Sequence, residues 1–161
     1  MNYDSMYNEL NKKSSNVQKF WLFYAESSKG MSLTKGNIND FKDYSALIAY
    51  SEEFNVINTQ FQGVKGLCAS NVLVTLPKDQ NSLNLYSKFS SGSILNLIKI
   101  VQIVVSNNAN SIQQELSFNT CKIESFKSYM DKVILVIKYN SRKEDFVAYN
   151  SDGSKMGHCV G

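Results

Sequence analysis

Residues 67–105 constrain the fold more than any other part of the chain, reading as strand, turn, short helix, turn, long strand. Asn71-Val-Leu-Val-Thr-Leu76 is an apolar run rich in β-branched residues, which pack well on a pleated surface. Pro77 ends the run, because proline gives no N–H to a ladder. Asp79 stands at an N-cap position, its carboxylate able to accept a free backbone N–H of a first helical turn. Leu83, Tyr86 and Phe89 follow at helical spacing with Leu85 beside them, which predicts a short helix over about residues 79–91 with one apolar face. Gly92 sits where a chain leaving a helix needs positive φ. Residues 94–105 are a longer apolar run broken only by Asn96, Lys99 and Gln102.

The flanking chain reads as more strand. Phe20-Trp-Leu-Phe-Tyr-Ala25 is apolar on both parities, so both faces of that strand need cover. Residues 44–50 and 53–61 read as extended, and residues 106–111 as a turn. In residues 112–130, Ile112, Leu116 and Phe118 share one parity, whereas Cys121 and Ile123 share the other. A period of two cannot absorb that change, which predicts a β-bulge near residues 119–121. Val133, Leu135, Ile137 and Tyr139 alternate against Lys132 and Lys138, and residues 146–149 continue that strand or add another. About seven strands and one helix predict a mainly β fold: an antiparallel β-barrel, or a sandwich of two sheets, with one short flanking α-helix. The expected organisation is a polar N-terminal extension over residues 1–18, helical or loose, a β-barrel domain over 19–155 and a short polar tail over 156–161. Within the extension Tyr3, Met6, Tyr7 and Leu10 form one helical stripe, which makes them a candidate accessory contact.

Several function classes are excluded. The net charge is +3, and the pairs Lys12-Lys13 and Arg142-Lys143 have acidic neighbours, so nucleic acid is not an expected partner. The first 18 residues are polar and no apolar run has the length of a span, so neither a signal peptide nor membrane insertion is expected. Cys68, Cys121 and Cys159 are odd in number and lack metal-ligand spacing, as in a protein made in a reducing cytosol. The single histidine, His158, lies beside Cys159 in the tail, and an adjacent pair is not a nucleophile and base converging from different parts of a fold. Glu52 and Glu53 are strand neighbours, point to opposite faces and cannot share a proton. No catalytic residue, metal site or cofactor is expected. An assembly module and a ligand-carrying β-barrel remain, and the surplus of apolar faces favours assembly with further copies of the chain.

The order of these segments resembles the haemolysin-coregulated protein (Hcp) family, the tube subunits of type VI secretion systems. Three segments carry the resemblance: the aromatic strand from Phe20 to Glu26 with Gly30 following, the helix segment Ser82-Leu-Asn-Leu-Tyr-Ser-Lys-Phe-Ser-Ser-Gly92, and the long strand after it. Gln113-Gln-Glu-Leu-Ser-Phe118, Cys121-Lys-Ile-Glu-Ser-Phe126 and Val133-Ile-Leu-Val-Ile-Lys-Tyr139 continue it, so the match runs in order over residues 20–153. The chain departs from the family in its extra residues before Phe20, its short loop between Phe61 and Leu67 and its thin C-terminal acidic and histidine patches. The resemblance implies a closed barrel, six copies in a ring, and rings stacked into a hollow tube. It implies a contractile sheath, a spike and a baseplate as partners, effector cargo in the bore, and export from the bacterial cytoplasm without a signal peptide. By position, Lys35, Gly36, Asn37, Ile38, Asn39, Asp40 and Phe41 are the candidate ring-stacking loop. A phage-type tail tube subunit is the alternative of the same kind.

Overall fold

The computed structural model describes residues 18–59, 64–106, 109–149 and 155–160, with backbone alone at 55–59, 64–70, 106, 109, 148–149 and 155–160. Its elements run β1 (Gln18–Glu26), β2 (Ser45–Ala46), β3 (Ala49–Thr59), β4 (Val64–Pro77), α1 (Gln80–Ser91), β5 (Leu95–Ser106), β6 (Ala109–Ser128), β7 (Lys132–Tyr149) and β8 (Lys155–Val160). All the strands join one antiparallel sheet in the order β2-β1-β5-β6-β7-β4-β3, with β8 added to β7. Most neighbours in the sheet are also neighbours in sequence, as hairpin connections require. The crossover from β4 to β5 passes β7 and β6, and α1 makes it.

The sheet curls until its ends approach, so the two expected layers are two halves of one sheet. Leu47 N–H donates to the Trp21 carbonyl at 3.3 Å, and Ile48 N–H donates to the Thr75 carbonyl at 3.0 Å. The short link from β2 to β3 therefore laps β1 to β4, and the Trp21 and Tyr50 rings meet inside the lap at 5.2 Å. The concave face holds the core: Phe23, Ile98, Ile100, Phe118, Leu135 and Val74 belong to one buried cluster fed by β1, β4, β5, β6 and β7. Burying a side chain of this size contributes about 1.5–3 kcal/mol.

The change of face in β6 occurs where the alternation fails. Phe118 and Cys121 are both buried, and Thr120 between them takes a left-handed backbone, φ 53°. The expected register slip does not fall there: β6 slips against β5 earlier, where Gln102 and Ile103 face Gln114 and Ile112, and against β7 later, between Ile123 and Ser125. The reason lies in the partner strand: Asn119 stays opposite Ser141 and Cys121 opposite Tyr139, so β7 turns with β6 and no residue is left over. Two further differences stand out. Residues 156–160, placed by the sequence in a short polar tail, belong with Lys155 to β8, whose ladder uses the part of β7 that lies beyond its pairing with β4. The helix begins and ends as expected, but Leu83 and Tyr86 are exposed, and Ser82 and Leu85 are the residues that face inward.

Candidate assembly surface

The candidate surface is built around α1, which crosses the end of the curl where β4 stops and β5 starts. Asp79 fixes the helix start: its Oδ1 accepts the Asn81 N–H at 2.9 Å and the Ser82 N–H at 3.3 Å, while Ser82 Oγ accepts the Asp79 N–H at 3.1 Å. This reciprocal cap satisfies donors that a helix start leaves free. Gly92 closes the helix with φ 65°. Leu85 anchors it in the core, and Asn84 Nδ2 donates to the Leu33 carbonyl at 3.1 Å from the other flank.

With Leu85 spent inward, the apolar flank of the helix is left outside. Leu83 is 57% exposed, and Tyr86 packs edge-on to Phe126 at 5.3 Å between ring centroids. Together with Lys78, Ser128 and Val133 they line a groove of about 490 Å³. The β6–β7 turn extends this patch with Tyr129, half exposed, and Met130, 98% exposed. The turn is braced, since Tyr129 N–H donates to the Lys132 carbonyl at 2.8 Å and Lys78 Nζ donates to the Tyr129 carbonyl at 3.0 Å. A contiguous exposed apolar patch on a braced frame marks a surface that another molecule covers. The outer wall adds a second apolar area, where Leu73 is exposed opposite a half-buried Val136.

The loop singled out by sequence, residues 35–41, lies on the outer face of β1 and β5. Phe41 is buried against Leu22, Val101 and Ile103, with Ile38 and Tyr44 packed beside it. Lys35 is tied to α1, its N–H donating to Asn81 Oδ1 at 2.8 Å and its carbonyl accepting from Asn81 Nδ2 at 2.9 Å. Gly36 is required by close approach: a Cβ there would meet the Tyr44 carbonyl oxygen at 2.0 Å. Asn37, Asn39 and Asp40 remain as an exposed tip, with Asn110 Nδ2 holding the Asn39 carbonyl at 2.8 Å. The loop supplies the cover that the two-faced aromatic strand needs, a role the sequence left unassigned. Tyr3, Met6, Tyr7 and Leu10 lie outside the described residues, as do the side chains of Cys68, His158 and Cys159.

The charged groups that the fold gathers are consumed by one another. Arg142 makes a two-pronged contact with Glu52 and a second ion pair with Glu144 at 2.9 Å, and its guanidinium lies over the Phe54 ring. Glu53 points away and is exposed. Burial of Glu26 works to raise its pKa, but hydrogen bonds from Tyr24, Asn96 and the Gly30 backbone, with the Lys99 charge, bring it below the ordinary carboxylate value. Lys99 itself pairs with Glu115 at 2.9 Å. Among the described residues no group of three or more His, Cys, Asp or Glu side chains converges as metal ligands would. No helix among them is long and apolar enough to cross a membrane.

The sequence marks Leu83, Tyr86 and Phe89, with Leu85 beside them, as one apolar face of the helix but does not say which of them faces inward, so the groove was not visible in it. The available signal was Leu85, one position over, which also completes an inward stripe with Ser82 and Phe89.

No family model matches the chain, and no curated protein matches it. Solved structures do. Hcp1 from E. coli EAEC 042 is similar at a TM-score of 0.64 and 11% identity, over 88% of this chain and 97% of that one. A structure described as a type six secretion system protein is similar at 0.64 and 14% identity, over 86% and 91%. The secreted protein Hcp3 from Pseudomonas aeruginosa is similar at 0.58 and 16% identity, over 88% and 97%. The chain has the Hcp-type fold along nearly its whole length.

Proposed function

We propose that this chain is a tube subunit of a type VI secretion apparatus. Six copies form a ring and rings stack into a hollow tube, which a contractile sheath drives outward with the spike and baseplate at its ends. Effector proteins travel in the bore, and the tube is built in the bacterial cytoplasm before it leaves the cell. The chain performs no catalytic step. The observation that carries this reading is an Hcp-type barrel that leaves apolar surface uncovered on its helix end and outer wall. A neighbour in a ring covers the outer wall through a heterologous contact repeated around an axis, and a copy in the next ring of the stack covers the helix end. The ligand-carrying alternative draws no comparable support, because the concave face is packed with fully buried side chains.

The loop tip at Asn37, Asn39 and Asp40 is the proposed contact between rings, pinned by Phe41 and Asn81 so that it meets the next ring preformed. Negative-stain electron microscopy of the purified protein tests the function: rings with a central hole are expected, and a strict monomer at high concentration refutes it. Asp40→Lys should leave rings intact and shorten their stacks.

A further inference from the structure

The groove beside α1 needs an occupant, and the first 17 residues of the chain supply a candidate of matching chemistry. We propose that the groove receives the segment carrying Tyr3, Met6, Tyr7 and Leu10 from another copy of this chain, stacked on the helix end. This rests on the tube reading and names a contact within it.

The placement of the two ends carries the argument. β1 runs from Gln18, opposite Val105, to Glu26, opposite Leu97. At about 3.3 Å per residue its ends are roughly 26 Å apart. The groove lies past the Glu26 end, because Phe126 is five residues beyond Cys121, the partner of Leu95. Leu10 is eight residue steps from Gln18, at most about 29 Å when fully stretched, whereas Phe126 lies seven residues, roughly 23 Å, beyond Asn119, which is level with Glu26 through Leu97. The stripe therefore falls short of the groove of its own chain. In a head-to-tail stack the Gln18 end of one copy faces the helix end of the next, and the distance disappears.

The chemistry agrees. The stripe spans eight residues, about 12 Å as helix, a length that lies along a groove of this size. An apolar helical stripe laid into an apolar groove is a recurrent mode of recognition, and a methionine beside Tyr86 and Phe126 makes favourable sulfur–aromatic contacts. Asp4 and Glu9 flank the stripe, while Lys78 lines the groove and Lys132 lies over the Tyr129 ring at its edge.

The test uses the full chain carrying Tyr7→Cys and Leu83→Cys, prepared at natural isotope abundance and with 15N, mixed, assembled, oxidised and digested. A 7–83 disulfide-linked peptide of mixed isotope composition is expected. A link of unmixed composition alone means that the segment folds back on its own chain and overturns the proposal, as does the absence of any link. As a second measurement, Leu83→Asp alters a residue more than half exposed, so the fold persists. A labelled peptide of residues 1–17 should bind this variant at least about tenfold more weakly than the unaltered protein, and equal binding overturns the proposal. Rings that form and stack to the same length in Leu83→Asp also overturn it while leaving the tube reading intact. Absence of rings in the unaltered protein overturns the tube reading, and the isotope-mixed link still decides what fills the groove.

Discussion

Leu83 and Leu85 are two positions apart on one short helix, and the structure assigns them opposite fates. Leu85 has no exposed surface and sits in the main cluster, whereas Leu83 is 57% exposed at the groove. Truncating a buried leucine to alanine removes transfer energy and leaves a cavity, costing about 2–5 kcal/mol. Taking about 3 kcal/mol, and roughly 2–4 °C per kcal/mol for a chain of this size, Leu85→Ala should lower Tm by about 6–12 °C. Leu83 has lost less than half its surface to the fold. Since full burial of a leucine is worth about 1.5–3 kcal/mol, Leu83→Ala should cost about 1 kcal/mol or less. The assay is thermal unfolding followed by far-ultraviolet circular dichroism, with light scattering used to match the assembly state of the two variants. Equal losses would refute the reasoning, because they would place Leu83 in the core and close the groove.

Three other perturbations test other parts of the structure. Thr120 is β-branched and held at φ 53°, an unfavourable conformation for such a residue; Thr120→Gly should raise stability by about 0.5–1 kcal/mol in denaturant titration, and a clear loss would show that the Thr120 side chain is needed there. Glu26 is held below its ordinary value of 4.5, so its stabilisation is present above that pH and lost as pH falls through the lowered folded value; Glu26→Gln should therefore flatten the acid side of a stability–pH profile and be less stable than the parent at neutral pH. Burial pushes the Cys121 thiol up to about 12, so alkylation near pH 8, mapped by mass spectrometry, should wait for unfolding; the thiol's contribution holds below its ordinary value of 9.0 and fades as pH rises toward the folded one.

Local signals in the chain were strong where one residue type has one physical use. Asp79 and Gly92 could be read as caps because a helix start needs an acceptor and a helix end needs a left-handed residue. The strict alternation from Val133 to Ile137 could be read as a core-facing strand for the same kind of reason. The break between Phe118 and Cys121 was visible as a parity conflict, but how it is resolved depends on β7 turning alongside, which no single strand records. Which helix flank is buried depends on what α1 crosses, so spacing alone marked one apolar face without showing that Leu85 turns inward and Leu83 and Tyr86 stay outside. β8 was illegible because its ladder depends on the free edge of β7 and not on its own short polar sequence. Residues 35–41 were marked by position, and their anchoring through Phe41 and Asn81 is a long-range fact outside any local pattern. The groove, which arises where α1 meets the β6–β7 turn, was hidden for the same reason.

The wall of this curl is unevenly fastened. β1 matches β5 over nine residue pairs but meets β2 over two, so the lap beside Leu47 and Ile48 is a parting line. Breathing of the isolated subunit starts there, since two pairs release before nine. In the proposed ring, a neighbouring copy laid along that line would splint it, so the subunit would be pliant alone and stiff once enclosed, a property that comes from β2, the shortest strand among the described residues.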